Sequence, residues 1–190
     1  NPFLLALFLV STLGFSQSVA TYDIVFTSTW NSPDHGTLPG NAHWSKSVGV
    51  NHNSNVTFFE LGAMASSGIE MIAESGDNDN FRDIDVANAV NAGNAEQYID
   101  GPSLSTAAGT ITITGLNVSE DYPLLSIFSM VAPSPDWLIA IDDLELLDEI
   151  ALNKEYKDTP EGAFYFKMLL SDDGLKSKTA SQKITSQRKE

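Results

Sequence analysis

Ala132-Pro133-Ser134-Pro135-Asp136-Trp137 is the stretch on which the reading of this chain turns. It closes one apolar run, residues 124–131, and opens a second, residues 138–141. Proline fixes its own φ and restricts the residue before it, so two prolines flanking a serine break the strand pattern and force a turn. Asp136 and Trp137 therefore stand at the head of a second strand. A carboxylate on a rigid, Pro-bracketed loop is a good cation ligand, and the bulky indole beside it is suited to anchor the loop. An aspartate in a turn also serves its own backbone, so an ordinary turn is the competing reading.

Outward from this corner the chain is punctuated as a series of short strands. Residues 22–29 (YDIVFTST) are β-branched and aromatic and read as a first strand ending at Trp30. Residues 31–41, with Pro33, Gly36, Pro39 and Gly40, read as a long loop. Residues 48–52 lead to a further strand region at 56–61, whereas 63–75 suit neither a long helix nor a clean strand. A short helix is expected in 81–91. Residues 109–118 (GTITITGLNV) alternate Ile111 and Ile113 against Thr110, Thr112 and Thr114, the clearest two-residue period in the chain. Residues 164–170 place Phe164, Phe166 and Met168 on one face of another strand. Strands at such spacing predict an all-β fold, a sandwich or barrel.

Residues 2–15 (PFLLALFLVSTLGF) are apolar and uncharged, followed by small and polar residues to Ala20. This fits the apolar segment and cleavage zone of a secretory signal, with cleavage after Ser16 or after Ala20, and is short for a membrane span. The expected organisation is a signal peptide over 1–20, one domain over 21–170 and a polar tail over 171–190 with too little apolar content to pack. The protein is expected to be secreted, at the cell surface or periplasmic, with no membrane span in its mature part. The chain has no cysteine, which excludes thiol chemistry without excluding export.

The net charge of −15 is uneven. Residues 1–150 hold 19 acidic side chains against only Lys46 and Arg82, a net −17, and residues 151–190 are net +2. Such a body repels phosphate backbones, so nucleic acid is not an expected partner. It attracts divalent cations and cationic partners, and it also keeps a protein soluble.

The blocks of this sequence, taken in order, resemble a spondin domain, the amino-terminal adhesion module of F-spondin and mindin, a module that also occurs in exported bacterial proteins. The first block is the strand ending in Trp30. Ala42-His43-Trp44-Ser45 and Val48-Gly49-Val50-Asn51-His52 are similar to the family's Trp-Ser and Gly-x-x-His. Ala65-Ser66-Ser67-Gly68-Ile69 followed by Ala73-Glu74-Ser75-Gly76 is similar to its Ser-x-Gly and Ala-Glu-x-Gly. Met130-Val131-Ala132-Pro133-Ser134-Pro135-Asp136-Trp137 and Ala140-Ile141-Asp142-Asp143-Leu144 complete the series.

The resemblance implies an antiparallel, C2-like β-sandwich that binds calcium in loops at one end. In the family the ligands are the aspartate of Pro-Ser-Pro-Asp-Trp, two acidic residues of a downstream loop and a strand glutamate. Asp136 matches the first. Without a gap, Glu161 falls on the second acidic loop position and Lys157 on the first, and a one-residue slip brings Asp158 there instead. No acid in 110–118 matches the strand glutamate, where Thr112 or Asn117 offers a neutral oxygen. The metal ligands expected are thus Asp136, Asp158 and Glu161, with Ca2+ as the ion. Fewer carboxylates predict weaker binding, since charge count tunes affinity.

Other constellations are weaker. Asp77-Asn78-Asp79-Asn80 with Asp83 and Asp85 lacks the Gly and Glu of an EF-hand loop and reads as a solvated acidic loop. Asp142 and Asp143, adjacent in a strand, are expected on opposite faces. His35, His43 and His52 show no metalloprotease spacing, and neither a nucleophile elbow nor a phosphate loop occurs. The expected function is a secreted, non-catalytic binding or adhesion module, calcium-assisted, contacting an extracellular protein or a cell-surface glycan. The alternative is a carbohydrate-binding sandwich using Trp30, Trp44 and Trp137 as a platform.

Overall fold

The computed structural model describes residues 19–146, together with the backbone of three further strands between 164 and 186. In chain order the elements are β1 (Val19–Thr29), a helical turn α1 (Ser32–His35), β2 (His43–Trp44), β3 (Val48–His52) and α2 (Ser67–Ser75). A π-helical turn (Phe81–Val86) then runs into α3 (Ala87–Asn91). β4 (Ala95–Asp100), β5 (Ala108–Ser119), β6 (Leu124–Ala132), β7 (Trp137–Glu145), β8 (Phe164–Leu170), β9 (Ser177–Ala180) and β10 (Thr185–Ser186) follow. The last two fall in the polar tail.

The strands form two antiparallel sheets, one ordered β5-β1-β8-β9 and the other β10-β7-β6-β3-β4, with β2 added to β6. The fold is an all-β sandwich. β1 shows why: Tyr22, Ile24, Phe26 and Ser28 alternate inward against Asp23, Val25 and Thr27. Where β1 pairs with β5 the register slips, and Gly115, at φ 72°, supplies the left-handed residue of the bulge. Its N–H is taken by Asp23 Oδ1 at 2.8 Å.

The second sheet is covered on both faces. Toward the first sheet it presents Leu125, Ile127, Ile139, Ile141 and Ile99 to Tyr22, Ile24 and Phe26. Its other face carries Val48, Val50, Phe128 and Leu138 under Ile69, Ile72, Phe81 and Phe59. β6 is therefore buried along nearly its whole length, and its sequence is a continuous apolar run instead of an alternation. Each fully buried Phe or Ile here contributes on the order of 1.5–3 kcal/mol.

Two expectations are corrected in the helical cover. Residues 56–61 form no strand; they cross the sheet as a loop that tucks in Phe58 and Phe59. Residues 67–75 form a helix, capped by Ser66, whose Oγ accepts the Ile69 N–H, and by Gly76 in left-handed conformation. Gly68 is the crossing point of α2 on the π-helical turn: a Cβ there would stand 2.5 Å from Phe81 Cα and would also strike Asp85.

Candidate functional site

β6 and β7 form one antiparallel pair whose two ends hold the chemistry. At one end lies the corner predicted from sequence. The Ala132–Pro133 peptide is cis, and the Trp137 N–H donates to Ser134 Oγ at 3.1 Å, closing the turn. His43 and Trp44 of β2 pair with Ala132 and Val131 and hold the corner from the side. Asp136 is half-buried on this corner. Trp137 does not bury its indole as an anchor: it is 44% exposed, and its backbone pairs with β10.

Asp158 and Glu161, like Lys157, lie outside the described residues, as does the candidate signal segment. Of the neutral alternatives, Asn117 Oδ1 already accepts the Thr21 hydroxyl at 2.8 Å, and Thr112 is exposed along β5. Among the described residues no group of three or more His, Asp or Glu side chains could hold a metal ion. Asp136 supplies a hard oxygen donor of the kind calcium takes, and it is the described member of the expected set.

The acidic stretch follows its solvated-loop reading only in part: Asp83 and Asp85 lie on the π-helical turn, and half-buried Asp85 accepts the Ser66 hydroxyl. Arg82 bridges Asp79 at 2.9 Å and Asp83 at 2.7 Å, all three side chains well exposed. The tryptophans form no coplanar platform. Trp44 is buried, its indole N–H bonded to the Ala107 carbonyl, and Trp30 meets it edge-on at 68°.

The opposite end of β6 and β7 holds a cluster that sequence reading misses. Leu125 pairs with Leu144 and Ile127 with Ile141, so Ser126 alone faces Asp142 and Asp143, a bulge with Asp143 at φ 50°. The expectation that the two aspartates diverge is thereby corrected, because the bulge brings both to Ser126. Ser126 Oγ lies 3.2 Å from Asp142 Oδ1 and accepts the Asp143 N–H at 3.2 Å. It also lies 2.9 Å from Nε2 of His52 on β3, whose Nδ1 lies 2.9 Å from the Asn53 carbonyl. Asp143 Oδ1 is 3.4 Å from the same Nε2.

Electrostatics follow from this packing. Burial pushes the Asp142 carboxyl up to about 6, reinforced by the Asp143 and Glu60 charges and opposed by the Ser126 bond. Burial lowers His52 from 6.5, against the pull of the Asn53 carbonyl and Asp143. Serine, histidine and aspartate in sequence of contact suggest a nucleophilic triad, but Ser126 and His52 are wholly buried and present no face to a substrate. The available signals were a serine inside an apolar run and paired acids at a strand end.

The sandwich with its Pro-bracketed aspartate corner defines an antiparallel β-sandwich module that carries a candidate cation site on a loop. Comparison with known proteins gives the family: the Spondin_N family matches residues 20–182, and the chain belongs to it. The chain is 27% identical over 142 residues to Spondin-2 of Homo sapiens, covering 70% of this chain and 41% of that protein. It is 28% identical over 134 residues to Spondin-1 of Mus musculus, covering 67% of this chain and 16% of that protein. The chain thus spans less than half the length of the curated relatives it matches.

Proposed function

We propose that this chain is a secreted, non-catalytic binding module in which calcium, held by Asp136 together with Asp158 and Glu161, orders the corner loops for a partner. The observation that supports this most directly is the position of Asp136. The ligand position with a direct counterpart in the family stands on a turn closed by its own hydrogen bond, with its carboxylate partly open to solvent. Calcium takes roughly six to eight oxygens, and backbone carbonyls and water complete a shell that carboxylates begin.

Charge favours a cationic partner surface. The two Lys and Arg side chains of residues 19–146 are engaged, Lys46 with Asp100 at 2.8 Å and Arg82 with Asp79 and Asp83, so the remaining carboxylates set the field of this part. No helix among the described residues is long and apolar enough to cross a membrane.

Calorimetric titration of the full chain with calcium, beside Asp136→Ala, tests the assignment. Binding heat in the parent that vanishes in the variant is expected. Identical binding by both, or binding by neither, defeats it.

A further inference from the structure

The His52–Ser126–Asp142 cluster lies at the root of a loop. Residues 53–66 leave β3 directly after His52 and end at Ser66, the cap of α2. Two contacts tie this loop to the cluster: His52 Nδ1 meets the Asn53 carbonyl, and the His52 ring packs edge-on against Phe58 at 5.2 Å. The charge of Glu60 in the same loop also helps to raise the Asp142 carboxyl, after burial and the Asp143 charge. The tip beyond these contacts is apolar and open, with Leu61 65% and Met64 98% exposed.

Counting protons shows that the cluster is fully bonded within itself only when it holds one proton more than neutral His52 and ionised Asp142 provide. The Asn53 carbonyl can only accept, so Nδ1 of His52 carries the ring proton and Nε2 of the neutral ring is an acceptor. The Ser126 hydroxyl has one proton and two lone pairs, and one lone pair is filled by the Asp143 N–H. With Asp142 ionised and His52 neutral, both Nε2 and the Asp142 carboxylate compete for the single Ser126 proton, so either the buried imidazole or the half-buried carboxylate loses its partner within the cluster. With Asp142 protonated, its O–H donates to Ser126 Oγ and the Ser126 O–H donates to His52 Nε2. Each link of the chain Asp142–Ser126–His52–Asn53 is then made; the same proton placed on Nε2 makes the same links with the Ser126 O–H turned to Asp142, a form that burial of the imidazole disfavours.

We propose that Asp142, Ser126 and His52 form a proton-operated latch, closed when Asp142 carries a proton and fastening the loop 53–66 to the central sheet. Removing the proton breaks one bond of the relay and restores the repulsion between Asp142 and Glu60, so the loop loosens and its Leu61–Met64 tip is freed. The groups facing the latch are accounted for element by element. β3 contributes His52, β7 contributes Asp142 and Asp143, and the loop contributes Glu60. α2, packed on β6 and β7, turns Gly68, Ile69, Ile72 and Ala73 inward and carries Glu70 and Glu74 at less buried positions. All the carboxylates act in the same sense, favouring the protonated, closed state.

Hydrogen exchange of the full chain at about pH 5 and about pH 7.5, corrected for intrinsic rates, tests this. Protection of amides in 53–66 is expected to fall roughly tenfold between the two conditions while β1 and β5 amides hold theirs. In Asp142→Asn the side-chain N–H donates to Ser126 as the protonated acid does, and the loop should stay protected at both. A parent without the step, or a variant that keeps it, overturns the latch. Should the variant fail to fold, carbon-detected titration of the parent decides: loop amide shifts must follow the midpoint of the Asp142 carboxyl, and a different midpoint overturns the proposal.

Discussion

Asp136 and Asp142 stand on the same strand pair, six positions and roughly 20 Å of strand apart, yet they are given opposite work. Asp136 sits on a corner built by prolines, partly in water, where the Trp137 N–H donates to Ser134 Oγ and closes the turn. Asp142 sits on a bulge that sets its carboxyl against the buried Ser126 hydroxyl, which in turn meets the buried His52 imidazole. The corner leaves the Asp136 carboxylate partly open to solvent, where the proposed ion would reach it. The bulge commits a carboxyl to an internal relay and raises the proton affinity that would suit it to that task. What decides the chemistry of an aspartate here is the turn beside it: a loop exports the charge, a bulge imports it.

Removing a serine from each end should separate the two most sharply. Ser126→Val leaves His52 Nε2, the Asp142 carboxyl and the Asp143 N–H without their shared partner, at a cost of about 3 kcal/mol. Ser134→Val removes a single acceptor from a partly exposed turn and should cost about 0.5–1 kcal/mol. Urea unfolding reads both as shifts of the midpoint at unchanged slope. Equal losses at the two ends would erase the contrast.

A smaller effect is expected from pH. The folded Asp142 carboxyl keeps its proton up to about 6, whereas the unfolded one releases it near 3.8. That proton stabilises the fold fully below the lower value, and the stabilisation is lost as pH rises through about 6. His52 acts in the opposite sense, its contribution standing above 6.5 and lost as pH falls through its lowered folded value. The clean measure is therefore a difference between two proteins. Stability of the parent minus that of Asp142→Asn should fall by about 1–2 kcal/mol from pH 4 to pH 7.5, the full shift being discounted because the carboxyl is only about half-buried. A flat difference would mean that the bulge does not hold the proton.

The sandwich is legible in the sequence where one rule governs: Ile111 and Ile113 against threonines give β5, the inward Tyr22, Ile24 and Phe26 give β1, and two prolines give the corner. It is illegible where two elements must be known together. Gly68 reads as a breaker of helix, yet it is there because α2 crosses Phe81 with no room for a Cβ. Phe58 and Phe59 read as strand, yet they are the inward anchors of a loop whose partners, Phe81 and Phe128, lie far along the chain. The same holds for the sites. Asp136 is marked by its neighbours in sequence, whereas the relay joins residues 52, 126, 142 and 143 through a register slip that no local pattern announces.

The smallest stability effect should come from Asp136 itself, and that is what makes it diagnostic. Without calcium, Asp136→Ala removes a half-exposed carboxylate on a turn already closed by Ser134, so stability should stay within about 0.5 kcal/mol of the parent. Excess calcium stabilises a fold that binds it by mass action, about 2.7 kcal/mol at a hundred times Kd. Thermal unfolding of both proteins with and without the ion then gives four values. A site at the corner requires that the two proteins coincide without calcium and part company with it. If the variant is instead much less stable in the absence of the ion, Asp136 is holding the turn together, and the contrast with Asp142 collapses into two structural carboxylates.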